Sequence, residues 1–251
     1  MINKRAMIIL AFLALAGIPL VFAANINTCG VIYENSVLTS NIGNMTGSCL
    51  RLNTSNVVLD GAGFTLNYSG AGLAGVYGIN VTNLQNITIK NFNISQNKGA
   101  STDNAAIFIN SSAITSQNIT IENTTIRTYS EDSFGILAIN ITDSLIQNNV
   151  IILNTTASNN RFAAISSAIG SAPSAFNTPQ RNIFYNNTIN TSSTGLYIDY
   201  CVTCNISNNI INLTYPTITF SAIHLLRLNH HARINQNRVL GFGANGMSLI
   251  K

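Results

Sequence analysis

Asn118-Ile119-Thr120-Ile121-Glu122-Asn123-Thr124-Thr125-Ile126 is the stretch that decides the fold. Ile119 and Ile121 alternate with Thr120 and Glu122, which is the period of a strand that buries one face. Asn123 then interrupts the alternation. Asn tolerates left-handed backbone angles and hydrogen-bonds its own backbone, so it suits a sharp corner. Beyond the corner a new apolar position begins at Ile126.

The same arrangement recurs in both directions along the chain. Strands of the Ile119 type appear as Asn86-Ile87-Thr88-Ile89, Asn182-Ile183-Phe184-Tyr185 and Asn205-Ile206-Ser207. The asparagines that follow are Asn91, Asn123, Asn149, Asn187, Asn209 and Asn237, and the next apolar positions are Ile94, Ile126, Ile151, Ile189, Ile211 and Val239. Each unit is preceded by a small residue, an apolar one and another alternating strand. The copies are Gly78-Ile79-Asn80-Val81, Ala106-Ile107-Phe108-Ile109, Gly135-Ile136-Leu137-Ala138, Ala164-Ile165-Ser166-Ser167, Gly195-Leu196-Tyr197-Ile198, Ala222-Ile223-His224-Leu225 and Gly246-Met247-Ser248-Leu249. Successive copies lie 24 to 31 residues apart, a period that signals a solenoid.

Three short strands per repeat make a triangular coil, and coils stack at the inter-strand spacing of ~4.8 Å. The expected fold is all-β: a single-stranded right-handed parallel β-helix of about seven coils after an N-terminal signal helix. Inward Ile and Val form aliphatic columns along its axis. Asn at one corner of every coil forms amide ladders, so Asn91, Asn123, Asn149, Asn187, Asn209 and Asn237 are assigned a structural role. No coil buries its apolar face alone; the stack is the folding unit.

Residues 1–23 read as an export signal, with Lys4 and Arg5 before an uncharged apolar run from Ala6 to Phe22 and a cleavage site at Val21-Phe22-Ala23. The alternative is an uncleaved anchor, and either places the rest outside the cytoplasm. Residues 24–55 form the expected N-terminal cap region and 56–251 the β-helix. Cys29 and Cys49 flank the entry to the first coil and are expected to pair in an oxidising compartment. Cys201 and Cys204 lack a second CxxC or a spaced His pair for zinc, and read as a local disulfide or two turn thiols. About fifteen Asn-x-Ser/Thr sequons, among them Asn44, Asn86, Asn118, Asn140, Asn186 and Asn205, agree with export and a glycoprotein, although a chain this rich in Asn, Ser and Thr makes sequons by chance. Gly246 to Ile250 reads as the first strand of another coil. A chain stopping there is expected to be a fragment of a longer helix or to associate end-on.

Charged residues make up only 8% of the chain against 46% hydrophobic ones. The polar coat must therefore come from Asn, Ser and Thr. Their β-branched apolar neighbours exclude a disordered chain. The formal charge of +4 falls to +2 once Lys4 and Arg5 leave with the signal, too weak and scattered for nucleic acid binding. The one basic cluster is Arg227, His230, His231, Arg233 and Arg238.

Asn56-Val57-Val58-Leu59-Asp60-Gly61-Ala62-Gly63-Phe64-Thr65-Leu66 resembles the opening coil of the pectate-lyase-like right-handed β-helix superfamily: a strand, Asp-Gly-x-Gly, then a short strand. The later coils resemble that superfamily's generic repeats. The placement of Cys29 and Cys49 resembles archaeal secreted or surface members. The resemblance covers roughly residues 50 to 251 and is specific for fold but not for function. It implies either a lyase's calcium-binding carboxylates beside an Arg or Lys, or a hydrolase's set of close Asp residues. Neither local motif stands among the eight acidic residues. Asp60 belongs to the Asp-Gly-Ala-Gly turn and reads as structural. No catalytic residue, metal or cofactor is assigned; copper, held by one related family, needs clustered His, Met or Cys.

Stacking still brings distant residues together. Asp103, Asp132 and Arg161 each lie four residues before a first-strand Ile and share an expected column: a polar site, or an ion ladder at solvated turns. Asn80, Phe108, Leu137, Ser166, Tyr197 and His224 share the outward positions of the first strand, with Asp199, Leu226 and Arg227 just beyond. This face is a candidate sugar-stacking platform, or a seat for a packing segment. The candidate ligand-binding set is thus Asp103, Asp132, Arg161, Tyr197, Asp199, His224 and Arg227. The expected function is an extracellular or cell-surface structural or adhesive module whose partner is a glycan or cell-envelope component. The alternative is a polysaccharide lyase or glycoside hydrolase of the same fold.

Overall fold

The computed structural model describes residues 23–43, 47–68, 73–97, 102–111, 116–155, 157, 159, 161–168, 181–214, 220–227, 231–241 and 245–250. Among these residues every regular element is a strand. The strands form three long sheets of nine, eight and nine members and one two-stranded pair, and every pairing is parallel between successive coils. The protein is a right-handed parallel β-helix. The expected leader up to Phe22, Asn44 and His230 lie outside the described residues.

Each coil gives one strand to each sheet in turn. The first sheet carries the six-residue strands Tyr77–Thr82, Ala105–Asn110, Phe134–Ile139, Ala163–Ala168, Thr194–Asp199, Ser221–Leu226 and Asn245–Ile250. The second runs from Ala24–Ile26 through Ile119–Glu122 to Arg233–Asn235. The third runs from Ile42–Gly43 through Thr125–Thr128 to Arg238–Leu240. Pairing reaches back to the start of the described chain: Ala24–Ile26 pairs with Ser36–Leu38, and Gly30–Ile32 with Leu50–Leu52. The stretch expected to cap the helix before Asn56 is already part of the stack.

The register turns strand alternation into columns. Leu50, Ile79, Ile107, Ile136, Ile165, Leu196 and Ile223 stand one above another and are almost wholly buried. Leu66, Ile94, Ile126, Ile151, Ile189 and Ile211 do the same on the third sheet. At the bend of the first sheet the inward position alternates Gly78, Ala106, Gly135, Ala164 and Gly195. A Cβ built on Gly135 would meet the Ala164 carbonyl oxygen at 2.4 Å and the Ile151 methyl at 2.7 Å. Nothing larger than hydrogen fits at that glycine without moving backbone.

The corners divide into two neighbouring columns rather than the single one expected. Asn91, Asn123, Asn148, Asn186, Asn208 and Gln236 all adopt left-handed backbone, with φ from 51° to 58°. Asn149, Asn187, Asn209 and Asn237 stand one residue later, and their side chains point inward. In each of those coils the first residue of the pair turns the corner and the second fills it. Earlier coils fill the inward place with Phe92 and Thr124, both buried. Asn91 and Asn123 therefore turn the chain but do not belong to the interior ladder. In that ladder the Nδ2 of Asn149 donates to Asn187 Oδ1 at 3.1 Å, Asn187 to Asn209 at 3.0 Å, and Asn209 to Asn237 at 2.9 Å. The same Nδ2 groups also donate to backbone carbonyls of the preceding strand, as Asn187 does to Ile146 at 2.9 Å.

The corner before the second sheet has its own left-handed column of Asn56, Asn86, Asn118, Asp143, Arg181, Thr203 and His231. The Asn118 amide bonds Asn86, and Asn86 bonds Asn56. Asp143 and Arg181 replace the amides there with an ion pair. Three of the sequons are thus corner residues, with Asn186 bonding Asn148 at 2.8 Å. Asn140 is buried with its Nδ2 on the Ser111 carbonyl at 2.6 Å, and Asn205 has a buried Oδ1. The Asn140 amide is thus already engaged. Asp60 accepts from the Ala62 N–H at 2.8 Å and the Asn91 amide at 3.0 Å, with Lys90 at 3.4 Å. Burial would raise its pKa, but these donors and the Lys90 charge hold it below the usual 3.8. Cys29 bonds Cys49 across 20 residues, and Cys201 bonds Cys204.

Two measurements test this frame. Replacement Asn187→Ala strands the Asn149 N–H in a buried site and removes the side-chain donor to Asn209 Oδ1 and to the Ile146 carbonyl, while the backbone N–H of residue 187 still reaches Asn209 Oδ1; it is expected to destabilise by about 1–3 kcal/mol. Urea unfolding followed by circular dichroism reads this as a lower midpoint; an unchanged midpoint would contradict the ladder's role. Peptide mapping without reduction should join Cys29 to Cys49, a loop closure that stabilises by about 3 kcal/mol in the chain-entropy model. Free thiols at those two positions would show that the N-terminal end is held without a bridge.

Candidate functional site

The alternation that buries Ile107 and Ile136 turns the next residue of each strand outward. Register places Asn80, Phe108, Leu137, Ser166, Tyr197 and His224 in one outward column, as the sequence predicts. Two residues later stand Asn110, Ile139, Ala168, Asp199 and Leu226. Above this face lies a groove of about 420 Å³. Its apolar wall is Tyr77, Phe108, Phe134, Leu137 and Ile139, and its polar lining is Asp103, Arg161, Ser166, Tyr197 and Asp199.

The apolar wall is a second, small hydrophobic cluster outside the solenoid core. Phe134 and Phe162 are buried with Ala105, while Tyr77, Phe108 and Leu137 pack on them half-exposed. The Tyr77 and Phe108 rings stack at 4.2 Å between centroids and 15° between planes. Phe134 and Phe162 meet at 5.0 Å, and the Arg161 guanidinium sits 4.9 Å from the Phe162 centroid. Tyr77 and Phe134 were not foreseen, although each stands directly before a column glycine, in Tyr77-Gly78-Ile79 and Phe134-Gly135-Ile136.

The expected aromatic platform at Tyr197 is less open than its outward position implies. Tyr197 is 9% exposed, His224 3% and Ser166 1%. Tyr197 stacks on His224 at 5.3 Å and 6°. His224 Nδ1 is buried without a hydrogen-bond partner, and burial pulls its pKa below the usual 6.5 against the pull of Asp199. Burial raises the Tyr197 phenol, with Asp199 adding to it; burial and then Asp103 raise Tyr77. Both phenols are held as neutral hydrogen-bonding groups at neutral pH.

The charged residues form pairs. Buried Asp199 takes a two-pronged contact from Arg227, with Nε to Oδ1 at 2.9 Å and Nη2 on Oδ2. Arg227 reaches it from the next coil, at a left-handed corner with φ 54°. Asp103 and Asp132 are stacked, the Asp103 N–H donating to the Asp132 carbonyl at 3.0 Å, and both are left-handed. Arg161 passes over this column to Asp103 at 3.6 Å, with side chains 60% and 56% exposed. An ion pair so exposed is worth at most about 1 kcal/mol. Asp103 and Asp199 are three coil steps apart, about 14 Å along the axis, beyond the ~5–9.5 Å that separates the carboxyl groups of glycoside hydrolysis. Among the described residues no group of three His, Cys, Asp or Glu is placed to hold a metal ion.

No protein-family model matches the chain, and no curated protein matches it. A similar solved structure is the tailspike protein gp49 from Acinetobacter baumannii bacteriophage Fri1, a capsular polysaccharide depolymerase. The two are 11% identical with a TM-score of 0.38, over 96% of this chain and 59% of that one. The chain thus spans less than two thirds of that structure's length, and the likeness is one of fold alone.

The buried imidazole makes stability depend on pH. His224 takes up a proton more readily when unfolded, so its contribution is present above pH 6.5 and is lost as pH falls through its lowered folded value. The urea midpoint should fall between pH 8 and pH 5, and His224→Gln should flatten that part of the profile. An identical fall in the variant would assign it to other groups.

Proposed function

We propose that this chain is an extracellular or cell-surface β-helix of the pectate-lyase-like type that binds a glycan in the groove of its first sheet. The observation that carries the reading is the apolar wall of Tyr77 and Phe108 facing a polar lining of Asp103, Ser166 and Asp199 across one elongated groove. Sugar rings present an apolar C–H face and a rim of hydroxyls. Half-exposed aromatic rings take the face, and fixed carboxylates and hydroxyls take the rim. A groove running across stacked coils suits a linear ligand, and solenoids commonly use such extended surfaces.

The polar, nearly uncharged coat of Asn, Ser and Thr fits a structural or adhesive role outside the cell. Export itself rests on the leader and the paired cysteines. Cleavage of a bound polysaccharide is the second reading, favoured by one observation: Asp103 and Asp132 stand on adjacent coils, one strand spacing apart. Against it, Asp103 is more than half exposed, whereas a general acid is normally sheltered.

Glycan arrays followed by calorimetry test the first reading. Phe108→Ala should weaken binding of the best array ligand about tenfold while leaving the circular dichroism spectrum unchanged, as loss of one aromatic face predicts. Equal binding by the variant would remove the groove from the account. Release of new reducing ends or unsaturated products from that ligand, abolished by Asp132→Asn, would replace the binding module with an enzyme.

A further inference from the structure

Charge in the groove is arranged in closed pairs. Its charged lining is Asp103, Arg161 and Asp199. Each guanidinium that could receive an anion already faces a carboxylate: Arg161 faces Asp103, and Arg227 holds Asp199 with both prongs. The lining by itself carries one more carboxylate than guanidinium, and Arg227 brings the two pairs to neutrality. A polyanion entering the groove would therefore meet neutral or negative potential and would have to displace an existing pair. A glycan without charge meets no such cost, and its hydroxyls can bond the outer lone pairs of both carboxylates.

We infer that the groove selects uncharged glycans over uronic-acid-containing ones, and that the Asp103–Arg161 pair contributes part of this selectivity. The inference rests on the glycan-binding reading and narrows it to a ligand class. Asp103 is the informative position. Its backbone is left-handed, with φ 58°, a conformation that Asn adopts as readily as Asp. Asp103→Asn therefore removes the charge while keeping shape, corner and fold. It leaves Arg161, exposed and seated over Phe162, without its carboxylate at 3.6 Å.

The experiment compares tetrasaccharide probes of equal length, a neutral set of cello-, manno- and galacto-oligosaccharides against oligogalacturonate, by calorimetry on the full chain. Wild type should bind at least one neutral probe at least tenfold more tightly than oligogalacturonate, with little dependence on salt. Asp103→Asn should improve oligogalacturonate binding roughly two- to fivefold, the size expected for one exposed charge, and added salt should erase that gain. Affinity for the neutral probe should change less. Tighter binding of oligogalacturonate by wild type would overturn the selectivity and leave the glycan reading standing. Selectivity for neutral probes without a gain in the variant would overturn the role given to Asp103 and Arg161. Binding of neither probe class would overturn the glycan reading itself, and this inference with it.

Discussion

Each strand of this protein pairs in parallel with its counterpart in the coils before and after it, so every side chain must suit the residue standing one strand spacing away. The whole structure depends on that demand. Inside, it selects columns of one character: isoleucine over isoleucine, amide over amide, and glycine under alanine where a carbonyl oxygen closes the space. The Asn ladder shows how a polar residue survives in such a core. Asn187 is wholly buried, yet its Nδ2 has an amide oxygen and a strand carbonyl as acceptors, and its Oδ1 accepts from Asn149. A buried amide with every bond made rigidifies the stack; one with bonds missing would be among its weakest points.

The same constraint governs the corners. Left-handed backbone recurs at equivalent positions because a coil that turns elsewhere would lose register with both neighbours. Asparagine fills half of the left-handed non-glycine sites among the described residues, at little steric cost. Asp103, Asp132 and Asp143 occupy others, and so do Arg181 and Arg227, which back-bond to carboxylates on the preceding coil. Several of the chain's few charges are therefore corner residues first. Their pairing follows from stacking, and it also leaves the groove electrically closed.

Outside, the spacing works differently. Outward columns need not match in size, so Phe108, Leu137, Ser166, Tyr197 and His224 succeed one another down a single file. Large residues beside Ser166 leave relief on the surface. Tyr77, Phe134 and Phe162, entering from the preceding corner, raise one wall of that relief into a small apolar cluster of its own. The groove is thus a product of irregularity on the outer face of a regular core.

The repeat, its strand alternation and its Asn corners were legible in the sequence because they are properties of neighbours along the chain. Column membership along the first sheet was legible too, since Ile107, Ile136 and Ile165 mark a register that holds wherever coils keep one design. The asparagines show where that reasoning stops. Asn91 stands two residues after inward Ile89 and takes the left-handed turn, whereas Asn149 stands three after the equivalent Ile146 and points inward, and pairing with the adjacent coil is what makes Ile89 and Ile146 equivalent. Likewise, alternation turned Tyr197 and His224 outward, but could not say how far their surroundings cover them. That depends on packing among residues distant in sequence, as do the Arg161–Asp103 contact and the stacking of Tyr77 on Phe108. The sequence by itself determined the coil, because the coil is built from local periods. The tertiary structure decided the groove, because a surface is made by side chains that meet only after the coils have stacked.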